Sequence, residues 1–218
     1  MKNLLKLLIV VVALTLTTKS FSQVIFGVKG GLNLANMVSK DNDGTNSNDF
    51  KMKTGFHLGA TAEFAVSEKF AIEPGLLLST KGFKLEQSGL TMKFNLNYLE
   101  IPINAIYKID LGGAKVLINA GPYLGFAISG KMKASEAVLG DNNDSKEQKI
   151  KIGSDKENDD IKALDFGLNF GAGVEIKSMT IGFQYGLGLA NLSPYTDNGT
   201  NVKNRVLGIS VGYKLGGK

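Results

Sequence analysis

The chain offers few residues with the chemistry of a catalytic or metal site. His57 is its only histidine and it has no cysteine. A multi-histidine metal centre, a thiolate site and a disulfide framework are therefore excluded. One nucleophilic arrangement remains open: His57 as base, Ser79 as nucleophile and Glu63 on the same face, the constellation of a lipid-modifying serine hydrolase. That chemistry requires hydrogen-bond contact between base and nucleophile, a matter of geometry rather than composition. The acidic runs Asp41-Asn42-Asp43-Gly44 and Asp141-Asn142-Asn143-Asp144 carry hard oxygen ligands suited to calcium. Neither is followed by the bidentate glutamate of an EF-hand loop, and the favoured reading is solvated loop tips. Glycine-rich Gly27 to Gly31 lacks both the following helix and the Lys-Ser/Thr pair of a phosphate loop. No catalytic, cofactor-binding or metal-ligating residue is assigned, and the expected protein is not an enzyme.

The elements that would hold these residues are strands. Beyond residue 23 the dominant period is two, with an apolar face opposed by glycine, polar and charged residues. Leu164 to Ile176 is the clearest case: Leu164, Phe166, Leu168, Phe170, Ala172, Val174 and Ile176 alternate with Asp165, Gly167, Asn169, Gly171, Gly173 and Glu175. Similar segments cover 24–34, 55–66, 70–81, 97–108, 115–129, 179–189 and 205–215. Each approximates or exceeds the roughly 9–11 residues of a tilted bilayer-crossing strand. Short connections (67–69, 109–114, 177–178) alternate with long polar ones (36–53, 83–95, 131–161, 192–203), the asymmetry of an outer-membrane barrel whose short turns are periplasmic. The expected fold is all-β, an eight-stranded antiparallel up-and-down transmembrane barrel.

The polar face carries Lys29, Glu63, Glu73, Lys81, Glu100, Lys108, Lys115, Asp165, Glu175 and Lys214 among many glycines. In a narrow lumen the small residues make room for the long charged ones, whereas on a water-facing surface they only weaken strands. The apolar face therefore meets lipid, with Phe26, Phe64, Phe70, Tyr107 and Tyr213 near one interface and Phe56, Phe126 and Phe166 near the other. The charges fill the lumen, where opposite charges on neighbouring strands, such as Glu63 and Glu73 with Lys29 and Lys214, are available to pair although the sequence sets no register that assigns specific pairs; a narrow channel is the alternative.

Lys2 and Lys6 stand around an apolar run, Leu4-Leu5 and then Leu7 to Leu16, followed by polar Thr17 to Gln23, the pattern of a secretory signal peptide over residues 1–22. The mature domain is then 23–218. Loss of Lys2, Lys6 and Lys19 leaves 22 basic against 20 acidic residues, so the formal charge falls from +5 to +2. With no basic stripe, nucleic acid is not an expected partner. The partners expected are outer-membrane lipid and a protein bound through loops 36–53 and 131–161, the latter polar and expected to be mobile.

The segments Phe26-Gly27-Val28-Lys29-Gly30-Gly31-Leu32-Asn33-Leu34, Tyr98-Leu99-Glu100-Ile101-Pro102, Ala120-Gly121-Pro122-Tyr123-Leu124-Gly125, Asp165-Phe166-Gly167 and Gly171-Ala172-Gly173-Val174-Glu175 resemble the PorT-like outer-membrane β-barrel family. Tyr185 to Leu189 and Asn204 to Leu207 extend the resemblance along the mature chain. It implies an eight-stranded barrel of the outer-membrane-protein-X type, without cofactor or enzymatic chemistry, with a role accessory to protein secretion. Such barrels commonly end on an aromatic residue used in assembly; here Tyr213 stands two residues before Leu215.

Overall fold

The computed structural model describes residues 24–42, 44–45, 50–87, 90–134 and 147–216. The expected signal peptide, Asp43 and the run 141–144 lie outside them. Among the described residues eight long strands form the wall: β1 (Ile25–Asp41), β2 (Lys53–Ala65), β3 (Phe70–Gln87), β4 (Leu90–Asp110), β5 (Lys115–Ala134), β6 (Leu164–Ile176), β7 (Met179–Gly188) and β8 (Asn201–Leu215). Each pairs antiparallel with its chain neighbours, and β8 returns to β1 in a register running from Phe26 opposite Leu215 to Lys40 opposite Asn201. That pairing turns a meander into a ring, which leaves no open sheet edge in the wall.

The ring is inside out relative to a water-soluble barrel. Phe26, Leu58, Ile181 and Phe183 stand outward with 57–64% of their surface exposed. Asn33, Glu63, Lys81, Glu100, Asp165 and Asn204 are buried in the interior. The same alternation runs along every strand, so the face expected to meet lipid is the outer one. At the lower end Phe70 and Tyr107 lie on adjacent strands with ring centroids 4.9 Å apart, within the aromatic belt anticipated there.

The lower rim is built from tight turns. Val66 N–H donates to the Phe70 carbonyl (2.8 Å), Leu111 N–H to the Ala114 carbonyl (2.9 Å), and the β6–β7 turn uses Lys177 at φ 55°. At the upper end the strands outrun expectation. β3 and β4 continue through most of 83–95, which the sequence reading assigns to a long polar loop. The reason is cross-strand packing: Phe83 stacks on Phe94 at 4.5 Å, and Phe50 adds a tilted contact on Phe83 at 4.5 Å. β1 and β5 likewise extend into the expected loops 36–53 and 131–161, as does β8 into 192–203.

Close approach of inward-facing backbone selects glycine at Gly121, where a Cβ would lie 1.9 Å from the Ile103 carbonyl oxygen. Gly121→Ala should lower unfolding stability by about 1–3 kcal/mol. Gly113→Ala, in a turn where a Cβ meets nothing within 4 Å, should change it by less than about 0.5 kcal/mol. The urea midpoint of the heat-modifiable gel band reads both.

Candidate functional site

The lumen holds three tiers of polar side chains beneath an apolar cap. In the lowest, Glu63 on β2 accepts hydrogen bonds from Lys108 on β4 and from Lys214 on β8, the latter at 2.6 Å. Lys214 also bonds Glu175 on β6. Glu63 and Lys214 are thereby paired. Lys29 instead donates to Gln184 Oε1 at 3.2 Å, and among the described residues Glu73 forms no ion pair. The Lys108–Glu63–Lys214–Glu175 chain ties β4, β2, β8 and β6 across the bore, and Lys29 with Gln184 joins β1 to β7.

The middle tier contains the expected base and nucleophile. His57 and Ser79 are register partners on β2 and β3, yet among the described residues no hydrogen bond joins them. Asn33 on β1 engages both: His57 Nδ1–H donates to Asn33 Oδ1 at 2.8 Å, and Asn33 Nδ2 donates to Ser79 Oγ at 3.1 Å. Asn33 Nδ2 also reaches the carbonyls of Phe56 and Thr80, at 3.2 Å each, which fixes its amide. Glu63 lies six residues down β2 from His57, about 20 Å at strand rise, and is committed to two lysines. The three residues share a face without forming a hydrogen-bonded relay.

The upper tier is fully buried. Lys81 on β3 pairs with Glu100 on β4 at 2.7 Å and with Asp165 on β6 at 3.1 Å. Asp165, 0% exposed, also accepts from Asn204 Nδ2 on β8 at 2.8 Å and from the Tyr123 hydroxyl on β5 at 3.2 Å. The Lys81 ammonium lies 4.2 Å from the Tyr123 ring centroid and 5.1 Å from that of Tyr98, so aromatic faces complete its surroundings. Sequence periodicity places Lys81, Tyr98, Glu100, Tyr123 and Asp165 in the lumen and leaves Asn204 outside the segment 205–215, and only the ring brings β3, β6 and β8 within hydrogen-bond reach of each other.

Above this tier Met37, Leu96, Tyr98, Ile161, Ala190 and Leu192 form a buried apolar cluster, joined at its edge by Phe50, Phe83, Ile150 and Ile152. The described end of the expected mobile loop is held to the barrel. Ile150 N–H donates to the Gly130 carbonyl (3.0 Å), Lys162 N–H to the Leu192 carbonyl (2.8 Å), and Ile152 bridges to Ile161. Its isoleucines, set among polar residues, insert into the mouth while the polar residues stay outside. Outside the cap, Glu147 bonds Lys131 and Lys133, and Asp155 closes a turn by accepting from Asn158 Nδ2 and Glu157 N–H. These hydrogen bonds, from Lys131 first for Glu147 and from Asn158 first for Asp155, hold both carboxyls below their ordinary values.

Within the lumen lie small spaces of about 30 Å³ beside His57 and Lys81 and about 60 Å³ beside Lys29 and Thr180, while a wider one of about 470 Å³ opens at the lower end between Lys108, Lys115, Glu175 and Lys214. The two small ones hold a few waters at most. A cavity of about 300 Å³ lies in the mouth between Phe50, Phe83, Phe94, Met132 and Ile150. Among the described residues no cluster of three or more carboxylates or histidines is placed to hold a metal ion. Asn42, from the first acidic run, donates its backbone N–H to Asn198 O at 3.0 Å.

A family model described as the outer membrane protein beta-barrel domain matches residues 19–193. Solved structures similar to the chain include Ail, the attachment invasion locus protein of Yersinia pestis, at 16% identity over 88% of this chain and 99% of that one, TM-score 0.40. Neisserial surface protein A is 16% identical over 87% and 97%, TM-score 0.42. A major outer membrane protein from Thermus thermophilus is 13% identical over 88% and 100%, TM-score 0.47. None of the curated proteins matches the chain.

Lys81→Met leaves two buried carboxylates without their cation and should cost about 3–5 kcal/mol in urea unfolding. Adding Glu100→Gln and Asp165→Asn should recover part of that loss, because the uncompensated charge is then gone. For Glu147 and Asp155, a folded value below the ordinary one means their contribution is complete above the ordinary carboxylate range and is lost as pH falls through the lower folded value. Hydrogen exchange over 147–160, corrected for intrinsic rates, should therefore accelerate below about pH 4 while the barrel strands stay protected.

Proposed function

The chain belongs to the outer membrane protein β-barrel domain family and resides in the outer membrane, and on that premise we propose that it is a non-enzymatic barrel working through its extracellular end, as a PorT-like accessory of protein secretion. The observation that carries this reading is the filled lumen beneath an ordered cap. Lys81, Glu100, Asp165, Tyr123 and Asn204 occupy the bore wall to wall, so little interior space is left for a solute or a substrate. Function then falls to the surfaces. The upper strands project beyond the lipid-facing band, and Tyr195 on the 189–200 connection presents 47% of its surface to the outside. A mature chain exported by a signal peptide over 1–22 accords with this placement.

The asparagine bridge between His57 and Ser79 argues against the lipid-modifying alternative, since Ser79 Oγ receives its hydrogen bond from Asn33. His57→Ala and Ser79→Ala should therefore leave the lipid A profile of the cell unchanged, and a changed profile in either strain would overturn the non-enzymatic reading. Purified barrel in planar bilayers should give no resolved conductance steps; ohmic steps would favour the channel. The secretion role is tested by the secreted proteome of a deletion strain, together with a photo-cross-linker at Tyr195. Selective loss of exported proteins and an adduct with a secretion component are expected. An unchanged secreted proteome would sink the accessory role.

A further inference from the structure

On one side of the barrel the outer face changes character abruptly along three adjacent strands. The apolar columns end at Leu78 on β3, Leu99 on β4 and Ile128 on β5. Next comes a belt of hydrogen-bonded side chains: Thr80 Oγ1 donates to Asn97 Oδ1 at 2.9 Å, and Asn97 Nδ2 donates to Ser129 Oγ at 2.9 Å. Four residues beyond each belt position stands a lysine: Lys84, Lys93 and Lys133. Four residues of strand rise about 13 Å, or roughly 10 Å above the belt at the usual barrel tilt. That height is the headgroup zone of the surrounding leaflet.

The lysines are not scattered. Lys51 pairs in register with Lys84, Lys84 with Lys93, and Lys93 with Lys133, a row across four strand segments at about 4.8 Å spacing. Lys131 is likewise opposite Lys149. Like charges directly opposite on a sheet repel and destabilise it. Among the described residues the compensation is partial: Glu86 approaches Lys84 at 3.4 Å, and Glu147 bonds Lys131 and Lys133. Among the described residues Lys51, Lys93 and Lys149 have no carboxylate in ion-pair reach, so six lysines face two acids. On β6, which pairs with β5, the outward positions are apolar from Leu164 to Ile176, and the opposite wall of β8 and β1 carries Lys203, Arg205 and Lys40 without a lysine set directly opposite another lysine.

From this ladder, continuous with the lipid-facing band and set at headgroup height, we infer that the outer face of β3–β5 binds the phosphate groups of a phosphorylated glycolipid in the outer leaflet. The apolar columns below take the acyl chains, and the lysine row supplies positive charge that the described carboxylates neutralise only in part. The ligand is a lipid because the two contacts are stacked on one face, which a free anion does not exploit. The inference is independent of the secretion reading: it concerns how the barrel is seated, and it stands with or without a protein partner.

The test uses the full mature barrel folded in zwitterionic detergent, with native mass spectrometry reading retention of diphosphoryl lipid A, dephosphorylated lipid A and phosphatidylcholine. Diphosphoryl lipid A should be retained selectively, and the combined Lys51→Gln, Lys84→Gln, Lys93→Gln and Lys133→Gln variant should weaken it by about tenfold or more. Lys40→Gln with Lys203→Gln, outward lysines on the β1–β8 side, should weaken it less than about twofold. In lipid-free detergent the fourfold variant should melt at a higher temperature than the wild type, since it removes the repulsion. Retention by the unaltered protein should fall with rising salt, a measurement that needs no variant. Equal retention of dephosphorylated lipid A, equal losses in the two variants, or indifference to salt would overturn the inference.

Discussion

A lipid bilayer supplies no water to an unpaired peptide group, and every other property of this protein follows from that constraint. A strand can cross only if both of its edges are bonded. The pairing of β1 with β8 supplies the last such edge, over a register of fifteen residue pairs. Once the ring is closed, alternation sends half of each strand's side chains into lipid and the other half into a bore too narrow to be a solvent reservoir. The outward half is therefore apolar by necessity, and the inward half must satisfy itself.

The lumen does so with charge. Each buried ion loses hydration worth several kcal/mol, recovered only where good geometry and extra hydrogen bonds surround it. Asp165 has three donors from three strands, Lys81 has two carboxylates and two aromatic faces, and Glu63 has two lysines. Such networks cross-link strands distant in sequence and fill the bore at the same time. Glycines such as Gly121 and Gly31 complete the fit, since a Cβ at either would lie within about 2 Å of a neighbouring carbonyl oxygen. Stability and the filling of the bore thus have one origin.

Above the membrane the rules relax. Water can satisfy edges there, and strand extension is decided by local contacts such as Phe83 on Phe94 rather than by necessity. The same freedom allows lysines to stand in register at headgroup height, where the surroundings are anionic rather than apolar. The cap is an ordinary hydrophobic core, with Met37, Leu96 and Leu192 nearly without exposure, built on a barrel whose wall is inverted.

Period-two patterning, glycine-and-charge composition of one face and alternating loop lengths were enough to determine the all-β class, the strand count and the lipid-facing side. Strand starts at Phe70, Lys115, Leu164 and Met179 were legible because apolar alternation begins sharply there. The upper ends were not, since above the lipid band polar residues such as Lys84 and Glu86 are as acceptable in strands as in loops. Residue types in the lumen were also legible, including Lys81, Glu100 and Asp165, but their partnership was not. Contacts between β3 and β6, or between β2 and β8, depend on the stagger and curvature of the closed ring, to which no local pattern is coupled. The bridging role of Asn33 and the insertion of Ile150, Ile152 and Ile161 into the mouth arise in the same way, from distances that exist only after the barrel has closed.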